Sequence, residues 1–196
     1  MLKFARRGFV LRCCRTVLVA GGCTLLGYCA MVWTEAWVFQ RQQSREFSSI
    51  LSHRATPVAR VVAHAAHPHS VLGRLEIPRL GISAMVAEGD SARTLKHAIG
   101  HLPGTSWPGQ GGNVVLAGHR DTFFRPLRHV HKGDEIIFTT WNGRFRYRVD
   151  SVKVVKPSAT KVLAPSSKPL LTLVTCYPFY FVGPAPDRFI VRAVPL

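Results

Sequence analysis

The chain has 196 residues, 47% of them hydrophobic, which allows one packed core and an apolar anchor but hardly two catalytic domains. Its formal net charge of +16 is shared along the chain: residues 1–69 carry nine Lys and Arg against Glu35 and Glu46, and residues 70–196 carry seventeen against eight acids. In the second part the cations are scattered among apolar, strand-like segments and not gathered on one helix or interleaved with exposed aromatics. That argues against a nucleic-acid partner and for an anionic membrane or wall polymer nearby.

Residues 1–16 hold Lys3, Arg6, Arg7, Arg12 and Arg15 and no acid, and read as a basic cytoplasmic segment. The apolar run from Val17 to Trp33 resumes at Ala36 and ends at Phe39. Residues 17–39 are therefore predicted to form a transmembrane helix, since about 20 helical residues cross a hydrocarbon layer of roughly 30 Å. Trp33 and Trp37 suit the interfacial belt, and Glu35 the headgroup level. Five cations precede the span and only Arg41 and Arg45 follow it closely, so the positive-inside rule predicts a cytoplasmic N-terminus and an extracytoplasmic remainder. Ala20-Gly21-Gly22-Cys23 has a faint likeness to a lipoprotein processing site. However, Ala20 stands where a larger aliphatic residue is usual, and the apolar run continues well past Cys23, which favours an uncleaved anchor.

Residues 40–71 read as a stalk or linker, polar and mildly helical from Gln40 to Ser52, then rich in Ala, Val and His between Pro57 and Pro68. His64, His67 and His69 cluster there without a Cys, Asp or Glu nearby, and no metal is assigned to them.

From residue 72 to 196 the texture changes to short β-like runs punctuated by Gly, Pro, Asn and Asp, the pattern of an all-β barrel or sandwich. Strands are predicted near Gly73–Ile77, Ile82–Val86, Asn113–Ala117, Glu135–Thr140, Phe145–Val155, Leu170–Thr175 and Phe189–Val194. Ser91 to His101 is predicted as a short helix capped by Ser91, with Leu95, Ala98 and Ile99 at helical spacing. Leu102 to Gly112, with two prolines and four glycines, is a loop. Within Arg144 to Val149, Arg144, Arg146 and Arg148 alternate with Phe145, Tyr147 and Val149, so the arginines should face solvent. His129 and His131 lie in a polar segment and are expected to be solvated.

Three places combine an apolar strand, an abrupt stop and a chemically capable side chain. Asn113 to Ala117 ends in Gly118 and delivers His119; Leu170 to Thr175 ends in Cys176; and Asp187-Arg188 opens the last strand. If the Cys176 and Arg188 strands are antiparallel neighbours, both residues share a rim. Cys176 is the only cysteine of the predicted domain, since Cys13, Cys14, Cys23 and Cys29 lie in or beside the anchor, so no disulfide can form within it.

Thr172-Leu173-Val174-Thr175-Cys176 resembles the T-L-x-T-C signature of the sortase family, and Leu116-Ala117-Gly118-His119 is similar to that family's histidine segment. Arg188 falls where its arginine opens the final strand, and the stretch from Cys176 to Pro186 looks like class D and related sortases. The resemblance runs from about Leu72 to Val194. It implies an eight-stranded β-barrel with one or two short helices behind an N-terminal transmembrane helix. It also implies a cysteine transpeptidase that cleaves a sorting signal in a secreted protein through a thioacyl intermediate, and passes the acyl group to an amine, either a wall precursor or a pilin lysine.

The residue chemistry agrees with that implication. A thiol titrates ordinarily near pH 8.5, so a nucleophilic Cys176 needs a cation or base beside it, and His119 would serve before acting as general acid toward the leaving amine. The guanidinium of Arg188 stays protonated and can hold a carbonyl or an oxyanion. Asp121, two residues after His119, is set aside and not counted as a third member of the site. Thr175 directly precedes Cys176, so in regular β geometry it faces the opposite side of the strand, and it is expected to support the site or contact substrate from the turn. No cofactor or metal is expected. The alternatives are another Cys–His wall enzyme, such as an L,D-transpeptidase or a papain-like peptidase, or a non-enzymatic basic adaptor of the envelope. The His-before-Cys order opposes the papain-like option, and the absence of a His-Gly-Cys cluster opposes the L,D-transpeptidase.

Overall fold

A computed structural model describes residues 2–52 and 70–196; the histidine cluster at His64, His67 and His69 lies outside the described residues. The chain divides into two units, Met1–Val38 and Phe39–Leu196. In the first, the long helix α1 (Leu2–Ser52) exposes Leu18, Leu26 and Trp33, apolar surface that a lipid phase would cover. Thr16, Thr24 and Thr34 turn their hydroxyls back onto the carbonyls of Arg12, Ala20 and Met31 at 2.8–2.9 Å, so they place no unsatisfied donor in the apolar stretch. Among the described residues this is one helix long and apolar enough to cross a membrane.

The second unit is a closed barrel of eight strands: β1 (Val71–Ile77), β2 (Ile82–Glu88), β3 (Ile99–His101), β4 (Asn113–Ala117), β5 (Glu135–Thr140), β6 (Gly143–Val155), β7 (Leu170–Tyr177) and β8 (Asp187–Pro195). Around the barrel their order is β1-β2-β3-β4-β7-β8-β6-β5. The β2–β3 and β4–β7 pairs are parallel and the rest antiparallel. Leu75, Ile77, Val86, Leu116, Phe138, Leu173 and Val191 fill the interior, each fully buried. On β6 the predicted alternation holds: Tyr147 and Val149 point inward, while Arg144, Arg146 and Arg148 are exposed.

One predicted element differs. The helix, α2 (Ala92–His97), is capped by Ser91, whose hydroxyl accepts from the Thr94 amide at 3.2 Å, but it stops four residues short of the expected end. Ala98 is already extended, and Ile99 to His101 form β3. Pairing with β2 on one side and β4 on the other outweighs the helical spacing of Leu95, Ala98 and Ile99. Gly100 permits it: a Cβ there would lie 2.3 Å from the Gly89 carbonyl oxygen.

Residues 39–52 of α1 lie against the barrel. Phe47 is 2% exposed and meets Trp141 edge-on, with ring centroids 4.5 Å apart. The Gln40 side chain acts as a peptide group would: its Nε2 donates to the His97 carbonyl at 2.7 Å, and its Oε1 accepts from the Met85 amide at 2.8 Å, just before β2 begins to pair with β3 at Val86. Arg74 donates to the Ser44 and Ser48 hydroxyls at 2.6 and 3.1 Å.

Candidate active site

The parallel register of β4 with β7 brings the ends of both strands to one rim of the barrel: Ala117 stands beside Val174, and the Gly118 amide donates to the Val174 carbonyl at 3.1 Å. β8 begins at the same rim, antiparallel to β7, with Cys176 directly opposite Arg188. Directly opposed residues share a face, with their Cβ atoms about 4.5–5.5 Å apart. Leu171, Leu173, Val191 and Ala193 face the core, so Cys176 and Arg188 stand on the outer face with Thr172, Val174, Ile190 and Arg192.

His119 lies one residue beyond the last ladder contact and is held by what surrounds it. Gly118 has no Cβ because the buried Phe124 ring occupies that space; a Cβ would sit 2.7 Å from it. The Phe124 amide returns to the His119 carbonyl at 3.2 Å and closes the turn. From the β7 side, the Thr175 hydroxyl donates to the Gly118 carbonyl at 2.7 Å. Thr175 is 2% exposed with its one proton so engaged, and of its two expected roles the geometry supports the holding one. His119 itself is exposed and Cys176 half-buried.

The Arg188 guanidinium donates to the carbonyls of Asp187 at 2.9 Å and Ala185 at 3.2 Å, while the Asp187 carboxylate pairs with Lys156 Nζ at 2.8 Å. Arg188 is thus oriented by backbone and keeps its charge uncancelled by its neighbour in sequence. Asp121 is exposed. His129 and His131, also exposed, belong to a surface cluster in which Arg79 donates to the His129 carbonyl and to both Asp134 carboxylate oxygens. The Arg79 hydrogen bonds, aided by the His131 amide, hold the Asp134 carboxyl below its ordinary range against the opposing effect of burial. Among the described residues no group of three His, Cys, Asp or Glu side chains could hold a metal ion.

Further along the face that carries Cys176, the connection between β6 and β7 forms a roof fastened by buried polar groups. Thr172 Oγ1 donates to Asn113 Oδ1 at 2.7 Å, Asn113 Nδ2 donates to the Ala164 carbonyl at 3.1 Å, and Arg192 Nη2 to the Val162 carbonyl at 3.2 Å. Thr172 is 0% and Asn113 2% exposed, so the first two of these bonds satisfy groups that water cannot reach, while Arg192 is half-buried. The sequence reasoning missed these fastenings; Thr172 and Asn113, polar residues in apolar strands, were their signal. A cavity of about 310 Å³ lined by Trp107, Phe145, Tyr147 and Leu170 lies where β4 and β7 begin, at the end of the barrel away from Cys176.

A half-buried thiol, a guanidinium directly opposite and an imidazole one residue past the neighbouring strand end are side chains whose chemistry covalent acyl transfer can use. Comparison with known proteins points the same way. Residues 75–196 match the family model described as a sortase domain. The chain is 38% identical over 120 residues to Sortase D of Bacillus subtilis (strain 168), covering 61% of each chain. It is 34% identical over 123 residues to Sortase SrtE1 of Streptomyces coelicolor, covering 53% of this chain and 35% of that one. The match thus spans about three fifths and about a third of these relatives. Among solved structures, a Clostridium perfringens Sortase D5 transpeptidase superposes with a TM-score of 0.72 at 27% identity, over 81% of this chain and 99% of that one.

Proposed function

This chain belongs to the sortase family, and from that membership we propose that it is a membrane-anchored cysteine transpeptidase acting on the sorting signal of a secreted protein. The observation that carries the proposal is the β7–β8 register that opposes Cys176 to Arg188, with His119 tied to the same rim through Gly118. In this reading Cys176 Sγ attacks the scissile carbonyl, and Arg188 turns from its backbone acceptors to the developing oxyanion. The C–N bond breaks, and His119 gives its proton to the departing amine. An amine acceptor, a wall precursor or a pilin lysine, then gives a proton to His119 as its nitrogen attacks the thioester, a new C–N bond forms, and the C–S bond breaks with Sγ leaving as thiolate. Thr175 acts by holding Gly118. The N-terminal cations support a reading in which the anchor starts in the cytoplasm and the barrel lies on the far side of the membrane.

The test is mass spectrometry of the full chain in detergent with a library of sorting-type peptides and several amine acceptors. A thioester-linked adduct is expected on Cys176, none with Cys176→Ala, and formation slowed by a factor of roughly 10²–10³ with Arg188→Ala. Equal adduct in the wild type and Cys176→Ala would reject the transpeptidase. Binding to anionic polymer that is strongly salt-dependent and indifferent to Cys176→Ala would favour an adaptor instead.

A further inference from the structure

We infer that Arg120 is a positioning residue of the reaction, its guanidinium fastening the segment that carries His119 to the connection that links Cys176 to Arg188; the inference rests on the acyl-transfer reading above. Arg120 Nη1 donates to the Pro178 carbonyl at 3.1 Å, and Nη2 to the carbonyls of Phe181 at 2.6 Å and Gly183 at 3.1 Å. The guanidinium also lies 5.9 Å from the centroid of the Phe181 ring. One side chain thus binds the connection near its start and twice near its middle, from the residue next to the imidazole.

This tie matters because neither partner is held by a ladder. β4 ends at Ala117, before His119, and between Tyr177 and Asp187 the chain runs free of strand pairing. Phe179 anchors the start of that connection against the barrel core, its ring centroid 5.1 Å from that of Phe189, but beyond it Tyr180 is 73% and Val182 97% exposed. Such segments open at low free energy unless something fixes them. Arg128, which lies 5.6 Å from the Tyr180 ring centroid, adds a second grip from the turn after His119. Three carbonyls in different directions suit the fixed fork of a guanidinium, with its five N–H donors; an ammonium is a point charge that reproduces the sign but not the geometry. Without the fork, His119 keeps the bonds made through Gly118 and Phe124 but its segment loses its tie to the Cys176–Arg188 connection. The imidazole is then less closely set relative to Cys176, and acyl transfer is sensitive to displacements of about 1 Å.

The test needs no knowledge of the sorting motif. The full chain in detergent is alkylated with iodoacetamide across a pH series, and the rate at Cys176 is read by peptide mass spectrometry, which separates it from Cys13, Cys14, Cys23 and Cys29. Wild type, His119→Ala, Arg120→Ala and Arg120→Lys are compared, with melting curves to show which variants are folded. The expected result is that His119→Ala changes the pH profile and lowers the rate at neutral pH by about tenfold. Both Arg120 variants should reproduce that altered profile while melting as a folded barrel, which a merely structural role would not produce. Either folded Arg120 variant keeping the wild-type profile, while His119→Ala changes it, overturns the inference and leaves the transpeptidase reading standing. Should Arg120→Ala fail to fold, Arg120→Lys decides alone. An unchanged profile in His119→Ala removes the thiol–imidazole pairing itself, and the role of Arg120 falls with it.

Discussion

Tyr147 shows how a single buried polar group sets a pH limit on the barrel. It is 4% exposed, and burial pushes its phenol from the ordinary 10.0 up to about 12, because the folded interior disfavours the phenolate. A group whose pKa is raised on folding contributes stability that is complete below its unfolded value and is lost as pH rises through the folded one. Denaturant unfolding of the full chain at successive pH values should therefore show stability falling between about pH 10 and about pH 12. Tyr147→Phe should flatten that fall while leaving stability at neutral pH little changed; an identical fall in both proteins would place its origin elsewhere. The inward placement of Tyr147 was legible in the alternation of Arg144 to Val149, because period two has one reading in a half-buried strand. The grip of Arg120 on the next connection was not legible. Its acceptors are the backbone carbonyls of Pro178, Phe181 and Gly183, and a carbonyl carries no sequence signature.

At the scale of elements, the opposition of Cys176 and Arg188 could be anticipated because two apolar strands joined by a single short connection form an antiparallel pair with their chemical ends on one rim. β3 could not: three residues carry too little pattern to compete with a helical spacing, and its identity comes from neighbours β2 and β4, far away in sequence. The same holds for residues 39–52 of α1. Their polar composition suggests solvent on every side, yet Phe47 meets Trp141, and Gln40 completes hydrogen bonds that β2 and α2 leave open. Removing a buried phenylalanine costs about 3–5 kcal/mol, with a cavity left behind. Phe47→Ala should therefore undock this part of α1 without unfolding the barrel. Amide hydrogen exchange should then quicken at the Met85 amide, which Gln40 caps, while Leu173 and Val191 in the barrel wall stay protected. Unchanged exchange at Met85 would mean that Phe47 does not hold the helix in place.

At the scale of the whole molecule, charge and cysteine placement make the proposed orientation testable without any tag. Lys3, Arg6, Arg7, Arg12 and Arg15 precede the apolar stretch, and moving such a cluster across a bilayer is far less favourable than leaving it on the side of synthesis. Cys13 and Cys14 lie beside those cations, whereas Cys176 lies on the barrel rim, so the chain carries a thiol reporter on each side of the predicted span. On spheroplasts, a membrane-impermeant maleimide should label Cys176 and spare Cys13 and Cys14, which should react only after lysis. Replacing the five cations with glutamine should erode that asymmetry, because little else biases the span: Arg41 and Arg45 on its far side would then dominate the charge difference. Labelling of Cys13 and Cys14 before lysis, with Cys176 protected, would reverse the topology. A catalytic rim confined to the cytoplasm could not meet a secreted substrate, and the transpeptidase reading would lose its site of action.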